Sequence, residues 1–343
     1  MKIKLKPIDK QVMVITGATS GIGLTTARMA AEQGATLVLA SRNAEALTQL
    51  AQQFGADEVP VATVAADVGN AQDVARIAET AIERFGRIDT WINNAGVSIF
   101  GKLEEVPAED NRRLFDTNFW GAVHGSLEAV KYMKARGGAL INLGSEVSDR
   151  AVPLQGMYSA SKHALKGFTD ALRMELEHDK VPVSVTLIKP AAIDTLFTVH
   201  AKNYLEQEPA LPPPIYAPDI VARAILYAAE HPKRDVFVGG AAKAFSVGGF
   251  HMPSLMDRYM SRAMFKQQKS DQPVPKDRVD ALHAFDPAQE LQQRQGMSHK
   301  VVERCPYTAV SLRSKPVMAA LLGGSALYAM WSYRRNGAAK MLT

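Results

Sequence analysis

The chain has 343 residues, 47% hydrophobic and 22% charged, with 24 Gly and 18 Pro. At about 150 residues per domain this fits two domains, or one large α/β domain with an appendage, and it excludes wholesale disorder, collagen-like repeats and a coiled coil. The net charge of +5 is uneven: residues 1–245 hold 26 Lys and Arg against 28 Asp and Glu, whereas residues 246–343 hold 14 against 7. The basic excess belongs to the tail, and no basic face accompanies a recognition module, so no nucleic-acid partner is expected.

One cysteine, Cys305, can neither close a disulfide within the chain nor build a thiolate zinc site. The eight histidines show no HxxxH or HxxH pairing, so no metal is expected. The opening MKIKLKPIDKQ is charged and lacks the apolar stretch of a signal peptide. A reducing, cytoplasmic setting is the expectation.

Seven short apolar runs follow one another: Val12–Thr16, Thr36–Ala40, Val59–Ala65, Thr90–Asn93, Ala139–Leu143, Val183–Ile188 and Asp235–Val238. They are rich in Val, Ile and Leu and mostly unalternated, as strands buried on both faces should be. Between them lie helical stretches such as residues 71–85, with Val74, Ile77, Ala78, Ala81, Ile82 and Phe85 on one stripe. The alternation predicts a doubly wound, seven-stranded parallel sheet of the Rossmann type, with its ligand crevice beyond the carboxyl ends of the strands.

The first run leads into Thr16-Gly17-Ala18-Thr19-Ser20-Gly21-Ile22-Gly23 and then a helix. Glycines there permit a tight turn and close approach of a pyrophosphate, while the helix N-terminus offers free N–H groups and a positive dipole end. The fourth run ends in Asn93-Asn94-Ala95-Gly96.

With these two motifs, and with Asn118, Ser145, Tyr158 and Lys162 downstream, the sequence over roughly residues 8–240 resembles the short-chain dehydrogenase/reductase family. The resemblance implies a catalytic tetrad of those four residues, a nicotinamide cofactor and a homo-oligomeric assembly. Tyr158 would be the general acid/base, Ser145 would hold the substrate oxygen, and Lys162 would grip the nicotinamide ribose. Asn118 would hold a water linking Lys162 to solvent. Positions 158 and 162 share a helix face, so the Lys162 ammonium is expected to favour the Tyr158 phenolate and lower a pKa otherwise near 10.

Cofactor choice turns on the end of the second run, where Ser41 and Arg42 stand and no acidic residue occupies 39–43. Arg42 is expected to take a 2′-phosphate, making NADP the expected cofactor over NAD. Asp67 and Val68 resemble the family's adenine contact, and Asn94, Ala95 and Gly96 its fourth-strand motif. After the sixth run the family's Pro-Gly-xxx-Thr is replaced by Pro190-Ala191-Ala192-Ile193-Asp194-Thr195. Ala191 cannot take a positive φ cheaply, so this cofactor-side loop is expected to differ in detail. Residues 196–217 are expected to cover the substrate, and Phe197, Tyr204 and Leu205 suggest a small apolar carbonyl compound or alcohol.

The sequence divides into a catalytic dinucleotide-binding portion over 1–245, an extension or linker over 246–315, and an apolar tail over 316–343. Within the extension, residues 267–300 are polar and Pro-punctuated, which predicts linker or loosely docked structure. Residues 316–333 carry no charge and are flanked by Arg313, Lys315, Arg334 and Arg335, with Tyr328, Trp331 and Tyr333 at one end. As a helix they would span about 27 Å, against ~30 Å of hydrocarbon, making a candidate membrane anchor. A helix packed on the domain or on a sister subunit is the alternative. Functionally, an NADP-dependent oxidoreductase on a ketone or secondary alcohol is expected; a non-enzymatic dinucleotide-binding scaffold, or a lyase or epimerase on the same sheet, are the alternatives.

Overall fold

The structure is a computed structural model and describes residues 3–296 and 300–313. The uncharged run at 316–333 lies outside the described residues. Among those described, no helix is long and apolar enough to cross a membrane.

The seven runs form one parallel sheet: β1 (Val12–Thr16), β2 (Thr36–Ser41), β3 (Val61–Ala65), β4 (Thr90–Asn93), β5 (Gly138–Leu143), β6 (Val183–Pro190) and β7 (Asp235–Val238). Their spatial order is β7-β6-β5-β4-β1-β2-β3. Successive strands turn opposite ways from β1, so the chain reverses its winding between β1 and β4, which opens a crevice there.

Side chains along each strand alternate between two cores. Met13, Ile15, Leu37 and Leu39 face α1 (Gly21–Glu32) and α7 (Pro218–Glu230), where Leu24, Ala27, Val221 and Ile225 are fully buried. Val12, Val14, Val38 and Ala40 face α3 (Ala71–Phe85) and α5 (Gly121–Met133) and pack with Val74, Ile77, Ala81 and Met133. Two-sided burial explains why the strands read as continuous apolar runs.

Helix ends follow the local chemistry. Asn70 caps α3 by accepting from the N–H groups of Gln72 and Asp73 at 2.9 and 3.3 Å, and Gly86 ends it in the left-handed region at φ +74°. Asn43 caps α2 (Ala44–Ala56) through its Oδ1, which accepts from Ala46 N–H at 3.0 Å. Between α4 (Ala108–Phe115) and α5, residues 116–120 form one π turn, a local expansion that recurs at functional sites.

The extension folds back onto the sheet's carboxyl end. It begins with α8 (Gly240–His251) and a short helix at 253–259, passes through a π turn at 260–264, and adds the strand Lys269–Pro273 antiparallel to Gln207–Pro209. The polar segment expected as linker is held by charge pairing and hydrogen bonding more than by apolar burial. Arg278 pairs with Glu208 at 3.0 Å and donates to the carbonyls of Thr198, Val199 and Ala201.

Candidate active site

Two hollows open at the carboxyl edge of the sheet and share Gly96 in their walls. The inner one is lined by Ile22, Asn94, Ser145, Tyr158, Lys162, Pro190, Ile193 and Thr195 among the expected residues. The outer one is lined by Gly17, Thr19, Ser20, Ser41, Arg42, Asp67, Val68 and Ala95. Thr16, Gly21, Gly23 and Asn118 shape these hollows from behind.

The glycine turn is built by close backbone packing. Gly17 sits at φ +64°, and a Cβ there would stand 2.9 Å from the Ala95 Cα. A Cβ on Gly23 would lie 2.0 Å from the Gly17 carbonyl oxygen, so only glycine lets the turn close. Thr16 Oγ1 accepts from the N–H groups of Asn94 and Ala95 at 3.1 and 3.2 Å, and the Asn94 amide donates to the carbonyls of Thr16 and Gly17. Gly21, at φ +51°, faces the Thr195 side chain. Turn, fourth strand and the loop after β6 therefore meet at one place. A two-part crevice with a glycine cradle at its waist fits an extended dinucleotide, one half in each hollow.

Ser145 follows β5 and caps the short helical turn Glu146–Ser148, its Oγ accepting from Val147 N–H at 3.3 Å while Ser148 Oγ accepts from Ser145 N–H at 3.1 Å. Tyr158 and Lys162 lie one turn apart near the start of α6 (Gly156–His178). Both are buried, at 8% and 5% exposure. Lys162 Nζ donates to the Leu143 carbonyl at 2.8 Å and stands 5.8 Å from the centre of the Tyr158 ring.

The electrostatics differ from the expectation. Burial pushes the Tyr158 hydroxyl above its usual value; the hydrogen bond with Ser145 opposes this, and Glu146 adds to it. Burial also disfavours the Lys162 charge and pushes that ammonium down to about 8. Burial likewise pushes Glu146 up to about 7. Within the chain alone, Tyr158 is thus a protonated phenol.

Asn118 lies in the π turn, and its amide is committed: Oδ1 accepts from Val97 N–H and Nδ2 donates to the Val97 carbonyl, both at 2.8 Å, with Ser161 Oγ at 3.2 Å. The side chain fixes the loop after β4. Arg42 also has partners, donating to the carbonyls of Ala281, Leu282 and Ala284 at 2.6, 3.3 and 3.4 Å. Burial acts to raise the Asp67 carboxyl, but hydrogen bonds from Arg113, at 2.5 Å, and Gly69 outweigh it and hold the group low. Ala191 avoids the left-handed region, its N–H bonding the Val238 carbonyl at 2.9 Å. The loop thus keeps Thr195 in place without glycine.

Of the residues expected over the substrate, Phe197 lines the inner hollow. Tyr204 instead donates to Asp110 at 2.6 Å, and Leu205 does not line the hollow. Leu211, also within the expected cover, lines it too; unforeseen wall residues include Glu146, Val147, Val152, Gln155, Met264 and Gln268. Gln155 Nε2 donates to Gln268 Oε1 at 2.6 Å, and Gln268 Nε2 donates to the Pro153 carbonyl at 2.7 Å. These pairings join positions over a hundred residues apart and leave no spacing signal.

Residues 11–205 match the family model described as short chain dehydrogenase. The uncharacterized oxidoreductase YxnA of Bacillus subtilis is 52% identical over 82% of this chain and 80% of its own length. Dehydrogenase/reductase SDR family member 7B of Bos taurus is 34% identical over 77% of this chain and 84% of its own. Among solved structures, a short chain dehydrogenase/reductase from Burkholderia phymatum in complex with NAD superposes with a TM-score of 0.66 at 27% identity, covering 74% of this chain and 97% of that one. A short chain dehydrogenase from Burkholderia cenocepacia in complex with NADP gives 0.63 at 27%, covering 74% and 99%. With its parallel sheet, glycine turn and family match over more than half its length, the chain belongs to the short-chain dehydrogenase/reductase family, NAD(P)-dependent oxidoreductases acting on CH–OH groups.

Proposed function

We propose that the protein interconverts an apolar ketone and its secondary alcohol with NADP(H), using Tyr158 as the general acid/base. The observation that carries this reading is the placement of the Tyr158 hydroxyl beside Ser145, with Lys162 one turn on, in the wall of the inner hollow. The bound cofactor supplies or accepts the hydride at its nicotinamide. The residues of the chain handle the oxygen and the proton.

Ser145 and Tyr158 hydrogen-bond the substrate oxygen together and orient the carbonyl carbon. As charge builds on that oxygen, Ser145 stabilises it and Tyr158 delivers its proton. In the alcohol direction the Tyr158 phenolate takes the proton. Lys162, buried and donating to the Leu143 carbonyl in the wall of the inner hollow, would hold the nicotinamide ribose. Asn118 serves as a positioning residue, holding the loop at Val97 that closes against this site.

The 2′-phosphate reading rests on Arg42, Ser41 and Thr19 meeting at the end of β2, with Thr19 Oγ1 and Ser41 Oγ 2.9 Å apart and no acidic residue in positions 39–43. The substrate class follows from the inner wall: Val147, Val152, Phe197, Leu211 and Met264 are apolar, while Glu146 and the Gln155–Gln268 pair give the polar points of recognition. A proposed assembly as a homo-oligomer accords with the family. A panel of apolar ketones and secondary alcohols, followed by NADPH absorbance, tests the reading. Turnover of one member with NADPH preferred is expected, and product formation without net NADPH consumption would favour a lyase or epimerase.

A further inference from the structure

Residues 281–295 form a strap across the outer mouth of the dinucleotide crevice. At its start, the carbonyls of Ala281, Leu282 and Ala284 take the Arg42 guanidinium. Further on, Leu291 N–H donates to the Thr19 carbonyl at 2.8 Å, and Gly21 N–H, at the N-terminal end of α1, donates to the Gln292 carbonyl at 2.9 Å. Leu291 adopts φ +59°, a left-handed backbone unusual for a branched side chain, which turns the strap down onto the glycine turn.

Between these anchors stands Glu290. It lines the outer hollow with Thr19, Ser41 and Arg42, its Oε2 is buried without a hydrogen-bond partner, and burial pushes its carboxyl up against the pull of Thr19, Asn43 and Arg42. The Asn43 Oδ1 is already taken by the α2 cap, so the amide nitrogen is the atom it offers to Glu290. Hydroxyl, amide and guanidinium at the end of β2 form an anion-recognising group, and Glu290 is the anion it meets. Positions 39–43 hold no acidic residue; the strap delivers one from about 250 residues downstream.

We propose that Glu290 is the resident anion of the 2′ position: a 2′-phosphate must displace its carboxylate, and the strap with it, before reaching Arg42. This rests on the reading of Arg42 as the phosphate's partner. A second negative group cannot share the site with Glu290 without repulsion, and Arg42 cannot turn to a phosphate while it holds three strap carbonyls. Cofactor choice is therefore set by a competition between two anions, one of them part of the chain.

Calorimetric titration of the full chain with 2′,5′-ADP and with 5′-AMP tests this. Glu290→Gln is expected to tighten 2′,5′-ADP at least tenfold while 5′-AMP changes less than twofold, and Glu290→Asp, which keeps the charge, is expected to stay near wild type. An unchanged ratio, or a selective loss of 5′-AMP, would overturn the proposal, the latter making Glu290 a partner of the ribose hydroxyl. Arg42→Ala separates the two readings: if it leaves 2′,5′-ADP binding intact while Glu290→Gln tightens it, the Arg42 reading fails and the role of Glu290 stands. On the wild-type chain, amide exchange at Leu291 should quicken with saturating 2′,5′-ADP; unchanged or slowed exchange would overturn displacement of the strap.

Discussion

The ring of Phe197 meets the ring of Tyr158 edge-on, with centroids 5.3 Å apart and planes at 64°. Phe197 also lies edge-on to Phe100 at 6.4 Å, so the proposed acid/base group is held in an aromatic cluster reaching from the loop after β6 to the loop after β4. Such packing fixes the phenol's direction without touching its oxygen.

Tyr158→Phe keeps that ring contact and removes only the hydroxyl. Turnover should fall at least ~10²-fold, the loss expected for one acid/base group, with the melting temperature and NADPH affinity nearly unchanged. Steady-state rates beside a thermal melt and a cofactor titration check this. Turnover within a few-fold of wild type would refute the assignment.

Arg42→Ala removes the cation expected to face a 2′-phosphate, a charge-assisted contact. NADPH affinity relative to NADH should fall by roughly 1.5–3 kcal/mol. The variant also releases three carbonyls of the strap, which eases entry of a 2′-phosphate and offsets part of this fall. Equal losses for NADPH and NADH would argue against the assignment.

Glu146 gives the chain a pH signature. Its carboxyl has an ordinary value of 4.5, and burial pushes it up to about 7 in the folded protein. Between those values the folded chain keeps a proton that the unfolded chain has lost. Stability from this group is therefore full below about 4.5, falls as pH rises to about 7, and then levels off. The loss is on the order of 3 kcal/mol. Glu146→Gln should be more stable than wild type above pH 7, with the gap closing towards pH 4.5. Urea midpoints across that range measure it.

Gln268 ties the extension to the catalytic portion through Pro153 and Gln155. Gln268→Leu leaves the half-buried Pro153 carbonyl and the buried Gln155 amide without this partner and should cost about 1–3 kcal/mol by urea unfolding. Combined with Gln155→Leu, the loss should be less than additive, since both changes remove one shared bond. The KM of the preferred substrate should rise more than kcat falls.

The seven sheet strands were legible because their residues are apolar on both faces; Thr90–Asn93 and Asp235–Val238 carry the predicted bounds unchanged. The glycine turn and the Ser145, Tyr158 and Lys162 group were legible because chemistry demands those side chains near strand ends. Strands such as Lys269–Pro273 were not, being exposed and polar and existing only through pairing with a distant segment. The strap was hidden for a further reason. It docks mainly through backbone carbonyls, and every residue carries one, so Ala281, Leu282 and Ala284 gave no hint that Arg42 would find them. Tyr158's raised pKa was missed because the helical spacing to Lys162 measures proximity and says nothing of burial, which governs both groups.

The inner hollow takes its proposed reacting groups from residues 145–162 and part of its lining from Met264 and Gln268, beyond the stretch that matches the family. Part of the taste is thus written in a stretch of chain that carries none of the reactivity. Drift in the later stretch can reshape what is admitted while leaving the proton donor untouched. Two relatives with identical reacting groups and different downstream segments would then divide a pool of carbonyl compounds between them.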